Sequence, residues 1–392
     1  MKRADIVILG AGAAGMMCAV EAARRGRGVL VIDHAPAPGE KIRISGGGRC
    51  NFTNLSVAPG RFLSQNPRFA LSALSRFGPQ DFIARVDRAG ISWHEKTLGQ
   101  LFCDGSARQI VEMLTGQMAE AGAELWLGAA VTEVARAGHR FALTTGRGPV
   151  EADRLVVATG GKSVPKMGAT GFGHDIARRF GLAVTETRPA LVPLTFGDDD
   201  LAAWKHLAGV SVSARVSRGK TGFAEGLLFT HRGLSGPSIL QISSYWREGV
   251  EIEVDLAPAC SVAEALKEAR QAGGKVPVGR ALAAHLPGRL AEAVLAGLGV
   301  EGRLADQPNA VLDRIGAAVN RWRVKPIGSE GYRTAEVTLG GVDTRGLDAR
   351  TMEARSVPGL HFIGEAVDVT GWLGGYNFQW AWSSGWAAGQ AV

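Results

Sequence analysis

Cysteine is scarce in this chain: Cys18, Cys50, Cys103 and Cys260 are the only four among 392 residues. They lie far apart and form no C-x-x-C, which argues against a disulfide framework and against a zinc site. A reducing, cytoplasmic setting fits that usage. Long apolar runs are missing too. No stretch reaches the roughly 18 residues of a membrane-spanning helix, and the apolar run of the opening "MKRADIVILGAG" is broken by Asp5 and by glycines, unlike a secretory leader. No membrane partner is expected. Internal repeats, a second G-x-G-x-x-G set between a strand and a helix, a G-x-S-x-G elbow and a metal-ligand cluster are also absent. Repeat architectures, a dedicated nicotinamide domain, and hydrolytic or metal chemistry are therefore not expected.

What the chain has in excess is glycine, 54 of 392 residues, where roughly 7% is usual. Many tight turns or close backbone approaches are implied. The rest of the composition, 46% hydrophobic and 21% charged, is that of a globular protein, and the length suggests two or three domains. The net charge of +7 comes from 44 basic residues scattered among 37 acidic ones. It permits an acidic partner such as RNA without identifying one.

The segment "ADIVILGAGAAGMMCAVEAARRGRGVLVID" reads as a strand over 4–9, a glycine turn, a helix to about Arg25 and a strand over 28–32. Gly10, Gly12 and Gly15 then form the G-x-G-x-x-G of a βαβ unit. The first makes the turn, the second lets a pyrophosphate approach bare backbone, and the third lets helix and strand pack closely. With Ala13 and Ala14, they place the free N–H groups of a helix N-terminus against phosphate. Asp33, followed by His34, ends the second strand, where a carboxylate can accept both ribose hydroxyls of an adenosine. An acid there repels a 2′-phosphate, so the nucleotide is expected to be FAD or NAD.

From Ala123 onward, through Val131, the pattern becomes short strands separated by "ARAGH" and "GRG", a meander that runs into Ala158, Thr159, Gly160 and Gly161. Near the end, "GLHFIGEAVDVTGWLGGYNFQWAWSSGWAAG" gives a strand over 360–363, then Gly364, the acids Glu365 and Asp368, a bend at Gly374 and Gly375, and a helix led by Tyr376 and Asn377. Between these, "KIRISGGGRCNFTN" offers bare backbone at Gly46, Gly47 and Gly48, flanked by Lys41, Ser45, Arg49, Cys50 and Asn51. No second cysteine is near Cys50 in sequence, so its thiol is expected to pack rather than to exchange electrons.

These segments, together with "GGKSVPKMGATGFGHDIARRFG", "RPALVPL", "FTHRGLSGPSIL" and "AEVTLGGV", resemble the HI0933-like flavoproteins, the BaiN/RdsA-type NAD(P)/FAD-dependent oxidoreductases, over nearly the whole chain. One departure is "GQLFCDGSA", where many relatives have Arg-x-Phe-Pro. The resemblance implies an α/β fold, a glutathione-reductase-type FAD-binding Rossmann domain with an inserted β-barrel-like plus helical domain. It also implies that the SGGG segment and the residues singled out above lie against FAD. The expected division is 1–188 and 335–392 for the FAD-binding domain, 189–260 for a β-rich insertion and 261–334 for a helical one.

The function expected is FAD-dependent reduction of a polarised C=C bond, with NAD(P)H as a transient electron donor and a small-molecule acceptor. An rRNA dihydrouridine-forming enzyme and a non-enzymatic flavin-binding redox protein are the alternatives. The substrate classes come from the resemblance, not from the residues. A catalytic acid is not evident; His231 in "FTHRGLSGP" is the one candidate.

Overall fold

Ile6 to Leu9 end the first strand, β1 (Lys2–Leu9), and all are buried. The chain turns at Gly10 into α1 (Ala13–Arg24) and returns as β2 (Val29–Ile32), parallel to β1 with Ile6 opposite Val29 and Leu9 opposite Ile32. Every residue of β2 is buried, as a parallel strand covered on both faces requires. The computed structural model describes all 392 residues and divides them into two units, Met1–Arg188 with Val337–Val392, and Pro189–Glu336.

In the first unit α2 (Glu40–Ile44), β3 (Asn51–Asn54), α3 (Leu71–Arg76), β4 (Trp93–Glu95), β5 (Gln100–Cys103) and α4 (Arg108–Glu120) lead to β6 (Glu124–Trp126). Then come β7 (Val131–Ala137), β8 (Arg140–Thr145) and β9 (Gly148–Val157), and, after the second unit, β10 (Leu360–Phe362) and α5 (Tyr376–Gly389). The main sheet has the order β6-β2-β1-β9-β8-β7, with β10 also on β9. β9 pairs antiparallel with β8 over Gly148–Ala152, then parallel with β10 over Leu155–Val157. One long strand thus passes from the meander into the parallel core.

Two sequence expectations are corrected here. The segment from Ala123 does not open the meander, because Glu124–Trp126 lies on the far side of the sheet, parallel to β2. The preceding α4 is the crossover that brings it there. The turn expected at "ARAGH" is also shorter: Ala135, Arg136 and Ala137 continue β7, and only Gly138 and His139 lie between it and β8.

β6, β2, β1, β9 and β10 all run parallel. Their following loops therefore share one edge. The chain leaves β1 towards β2 and β6 on one side and places β9 and β10 on the other, a switch point of the kind at which open α/β sheets take ligands. Behind that edge α5 packs on α1 with almost no room between them. A Cβ at Gly385 would stand 2.4 Å from the Ala14 carbonyl oxygen, and one at Gly389 would stand 2.6 Å from the Glu21 Cβ. Trp382 of the same helix stacks on Phe82 at 4.3 Å between ring centres.

The second unit carries a seven-stranded sheet whose central strands, Ser211–Arg218 and Thr221–Thr230, form an antiparallel hairpin. Its edge strands are Trp322–Val324 and Gly328–Ser329. Four residues of chain span at most about 14 Å, whereas seven strands laid flat would set the edges about 29 Å apart. The sheet is therefore curled, in the manner of a partial barrel. Helices Val262–Gln271, Val278–Leu282, Gly288–Leu298 and Asn309–Asn320 accompany it. No helix of the chain is long and apolar enough to cross a membrane.

Candidate functional site

The turn after β1 is fixed by contacts that only glycine allows. Gly10 has φ +106°, and a Cβ there would stand 2.5 Å from the Ala158 carbonyl oxygen; one at Gly15 would stand 1.9 Å from the Gly10 oxygen. Gly12 differs from both. Its φ of −84° suits any residue and nothing lies within 4 Å of where its Cβ would be. The N–H groups of Gly12, Ala13, Ala14 and Gly15 have no acceptor in the chain, whereas that of Met16 donates to the Gly12 oxygen. No side chain caps α1 and no acid stands in its first turn. This is a helix N-terminus prepared for an anion.

Asp33 lies beside this turn. Its Oδ2 accepts the Ala11 N–H at 2.6 Å and its Oδ1 the Ala35 N–H at 2.8 Å. The carboxylate thus also builds the turn, while each oxygen retains a second lone pair. His34 is exposed, with its ring against Gly168. Val131 opens β7 opposite Thr145. Beyond β9, Gly160 is left-handed with nothing within 4 Å of a Cβ position, and the Thr159 hydroxyl is buried without a partner. An orphaned buried hydroxyl next to open glycine backbone is what a site for a bulky polar ligand leaves in the protein alone.

The SGGG segment forms a tight turn after α2, with Gly46, Gly47 and Gly48 all at positive φ. Cys50 is also left-handed, at φ +50°. Phe102 of β5 occupies the place of a Gly46 side chain, since a Cβ there would be 2.7 Å from its ring. The Cys103 N–H donates to the Arg49 oxygen at 2.9 Å, and that of Ala107 to the Gly48 oxygen at 2.7 Å. "GQLFCDGSA" therefore buttresses the glycine turn, a role sequence reading did not assign to it. Arg49 itself is exposed. Ser45 closes α2 by donating to the Ile42 oxygen, and the Asn51 amide meets that of Gln100 at 3.1 Å.

Cys50 is fully buried, and burial, with the charge of Cys103 second, pushes its thiol well above the usual range. The expectation that no other cysteine is nearby is corrected: strand pairing of β3 with β5 brings Cys103 close. Its thiol is pushed up to about 11, chiefly by burial. Both are free thiols.

Lys41 and Glu365, singled out separately in the sequence, meet. Lys41 Nζ donates to Glu365 Oε2 at 2.7 Å and to Ser163 Oγ at 2.5 Å. The Ser163 hydroxyl and the Thr338 N–H both donate to Glu365 Oε1 at 2.9 Å. Burial pushes the Glu365 carboxyl up, yet Lys41 and these hydrogen bonds outweigh it and hold it below its ordinary value. Gly161 is obligatory here, because a Cβ would stand 2.4 Å from Thr338 Oγ1 and 2.7 Å from Glu365 Oε1. Ser163 and Thr338 were missed in the sequence; nothing but the fold joins them to the acid.

Gly364, at φ +63°, brings the end of β10 onto α1, with a Cβ position 2.9 Å from that of Ala14. Asp368 is buried and accepts the Gln65 N–H at 3.0 Å; burial raises its carboxyl above the ordinary value. Gly374 and Gly375 are left-handed, and a Cβ at Gly375 would be 2.4 Å from the Thr53 oxygen. Tyr376 is buried, its hydroxyl accepting from Arg61. The Asn377 amide clamps the bend, accepting the Gly371 N–H at 2.8 Å and donating to the Gly371 oxygen at 2.9 Å. His231 lies in the second unit, exposed in the turn after Thr221–Thr230.

A family model described as the HI0933-like protein Rossmann domain matches residues 4–391. The chain is 53% identical, over 100% of its length and 98% of the relative's, to the ribosomal RNA dihydrouridine synthase of Escherichia coli strain K12. It is 46% identical, over 98% of both chains, to the protein of that name from Haemophilus influenzae. A 3-dehydro-bile acid delta(4,6)-reductase of Clostridium scindens is 28% identical over 99% of this chain and 98% of that one.

Proposed function

The chain belongs to the HI0933-like family of Rossmann-domain flavoproteins, and from that premise we propose that it uses FAD to reduce uridine to dihydrouridine in ribosomal RNA. The observation that carries the RNA acceptor is the full-length similarity to two ribosomal RNA dihydrouridine synthases. It reverses the order of the sequence reading, which put a small unsaturated acceptor first. The two are chemically related. The uracil C5=C6 bond is conjugated to the C4 carbonyl and so is itself a polarised C=C bond, ready for hydride at C6 and a proton at C5.

The residues present fit a flavin dinucleotide. The unpaired N–H groups from Gly12 to Gly15 suit its pyrophosphate, and Asp33 suits the adenosine ribose. The bare backbone of Gly47 and Gly160, open to beyond 4 Å, suits a flat ring system and its chain. When bound, the flavin supplies the hydride chemistry, with NAD(P)H as the ultimate donor in this reading. The protein's part is to bind, orient and hold charge. The uncapped N-terminus of α5, with no acid in its first turn, favours negative charge nearby.

Deleting the gene and measuring dihydrouridine in ribosomal RNA by mass spectrometry tests the reading. A site-specific loss, restored by the gene in trans, is expected. Unchanged dihydrouridine would overturn it and return the small unsaturated acceptor to first place.

A further inference from the structure

A cavity of about 650 Å³ opens in the first unit at the C-terminal end of α5, between Gln390, Arg76 of α3 and the loop carrying Asp348, Arg350, Glu353 and Arg355. From Tyr376 to Ala387, which lines it, α5 rises on the order of 16 Å. The cavity is therefore separate from the glycine turns described above.

Three guanidiniums face it with two carboxylates, but the carboxylates are already engaged. Asp348 Oδ1 accepts the N–H groups of Arg350 at 2.8 Å and Thr351 at 3.1 Å, and its Oδ2 lies 3.9 Å from Arg355. Glu353 Oε1 accepts the Gly359 N–H at 2.6 Å. Both acids thus fold their own loop. The Gln390 amide turns away to Glu21.

The arginines are positioned differently. Arg76 is held by the Ser72 and Arg350 carbonyl oxygens and lies over the Trp386 ring at 5.4 Å. Arg355 donates to the Leu347 oxygen at 3.0 Å. The Arg350 guanidinium has no acceptor in the chain, although its charge acts on Arg76. Burial first and that like charge second disfavour the charged form of Arg76. Arg76 and Arg350 are held together, their repulsion offset in part by Asp348, which is already hydrogen-bonded within its own loop; an anion with several acceptor oxygens relieves such an arrangement.

We propose that this cavity binds the phosphodiester backbone of the RNA substrate, away from the uridine that is reduced. The proposal rests on the RNA reading above. It adds a place where the strand is held without base readout, since phosphate contacts position a nucleic acid and carry no sequence information.

The test measures binding of a ribosomal RNA transcript to the full-length protein across a salt series, for wild type, Arg350→Glu, Arg350→Lys and Lys220→Glu. The last reverses an exposed charge between two strands of the other unit and changes net charge equally. Arg350→Glu should weaken binding at least about tenfold at low salt. It should also flatten the slope of log K against log salt by about 0.7–0.9, the signature of one lost phosphate contact. Arg350→Lys should stay near wild type, and reduction of free uridine or another small acceptor should not change in any variant. Equal losses in Arg350→Glu and Lys220→Glu, or no loss in either, would overturn the proposal. So would loss of uridine 5′-monophosphate or inorganic phosphate binding with RNA binding intact, which would make this a small-anion site. These outcomes are read from binding alone. Absence of dihydrouridine formation by wild type would instead remove the functional reading and leave the binding result standing.

Discussion

Lys41 and Glu365 are 324 residues apart in sequence and 2.7 Å apart in the fold. Each was legible as a candidate from its segment; their pairing was not, because no local pattern records which distant side chain answers a buried acid. The pair makes a pH-dependent prediction. With Lys41 present the Glu365 carboxyl is held low, so its contribution to stability is present above the ordinary carboxylate value and fades as pH falls through the lowered one. In Lys41→Met the strongest opposing influence is gone and burial dominates, raising the carboxyl. A raised acid stabilises below its unfolded value and loses that stability as pH rises. Lys41→Met should therefore destabilise by about 2 kcal/mol at neutral pH, the usual cost being reduced by partial exposure of the pair. The loss should be larger at pH 8 than at pH 5 in urea titrations. Equal losses at both would show that Glu365 does not titrate between them. Cys50 teaches the same lesson: its distance from other cysteines in sequence hid Cys103, which a strand pairing supplies.

At the scale of elements, β1, α1 and β2 were readable almost to the residue, because an apolar strand, three spaced glycines and a terminal acid each have a local physical cause. β6 was not readable. Three residues, "ELW", fit a meander or a parallel edge equally well, and only the crossover through α4 decides. The α1 N-terminus allows binding to be separated from folding. Gly12→Ala should cost less than about 0.5 kcal/mol of stability, since its backbone angles are ordinary and its Cβ meets nothing. It should nevertheless weaken FAD retention at least about tenfold, by placing a methyl group where phosphate approaches the backbone. Flavin fluorescence released after gel filtration, read beside a melting curve, measures both. Full retention of FAD would move the pyrophosphate away from this turn.

Seen whole, the molecule puts the parallel sheet and its glycine turns in one unit and the curled antiparallel sheet in the other. The purified chain should be yellow and should release FAD, not FMN, on denaturation, because the unpaired N–H groups of the α1 turn and the Asp33 carboxylate beside it suit an adenosine diphosphate. A colourless protein that FAD does not reconstitute would remove the cofactor from the account. The division also has a consequence for biosynthesis. The second unit is one uninterrupted segment, Pro189–Glu336, whereas the first needs residues from both sides of it. On a ribosome adding roughly 5–20 residues per second, α1 is made early, and α5, which covers it, follows about 20–70 s later. During that interval the side of the first helix that α5 covers in the finished protein, where all residues from Ala14 to Ala23 are buried, lacks its partner. The interrupted order of the units thus leaves the α5-facing side of α1 open to other contacts during translation, an exposure that the mature fold no longer shows.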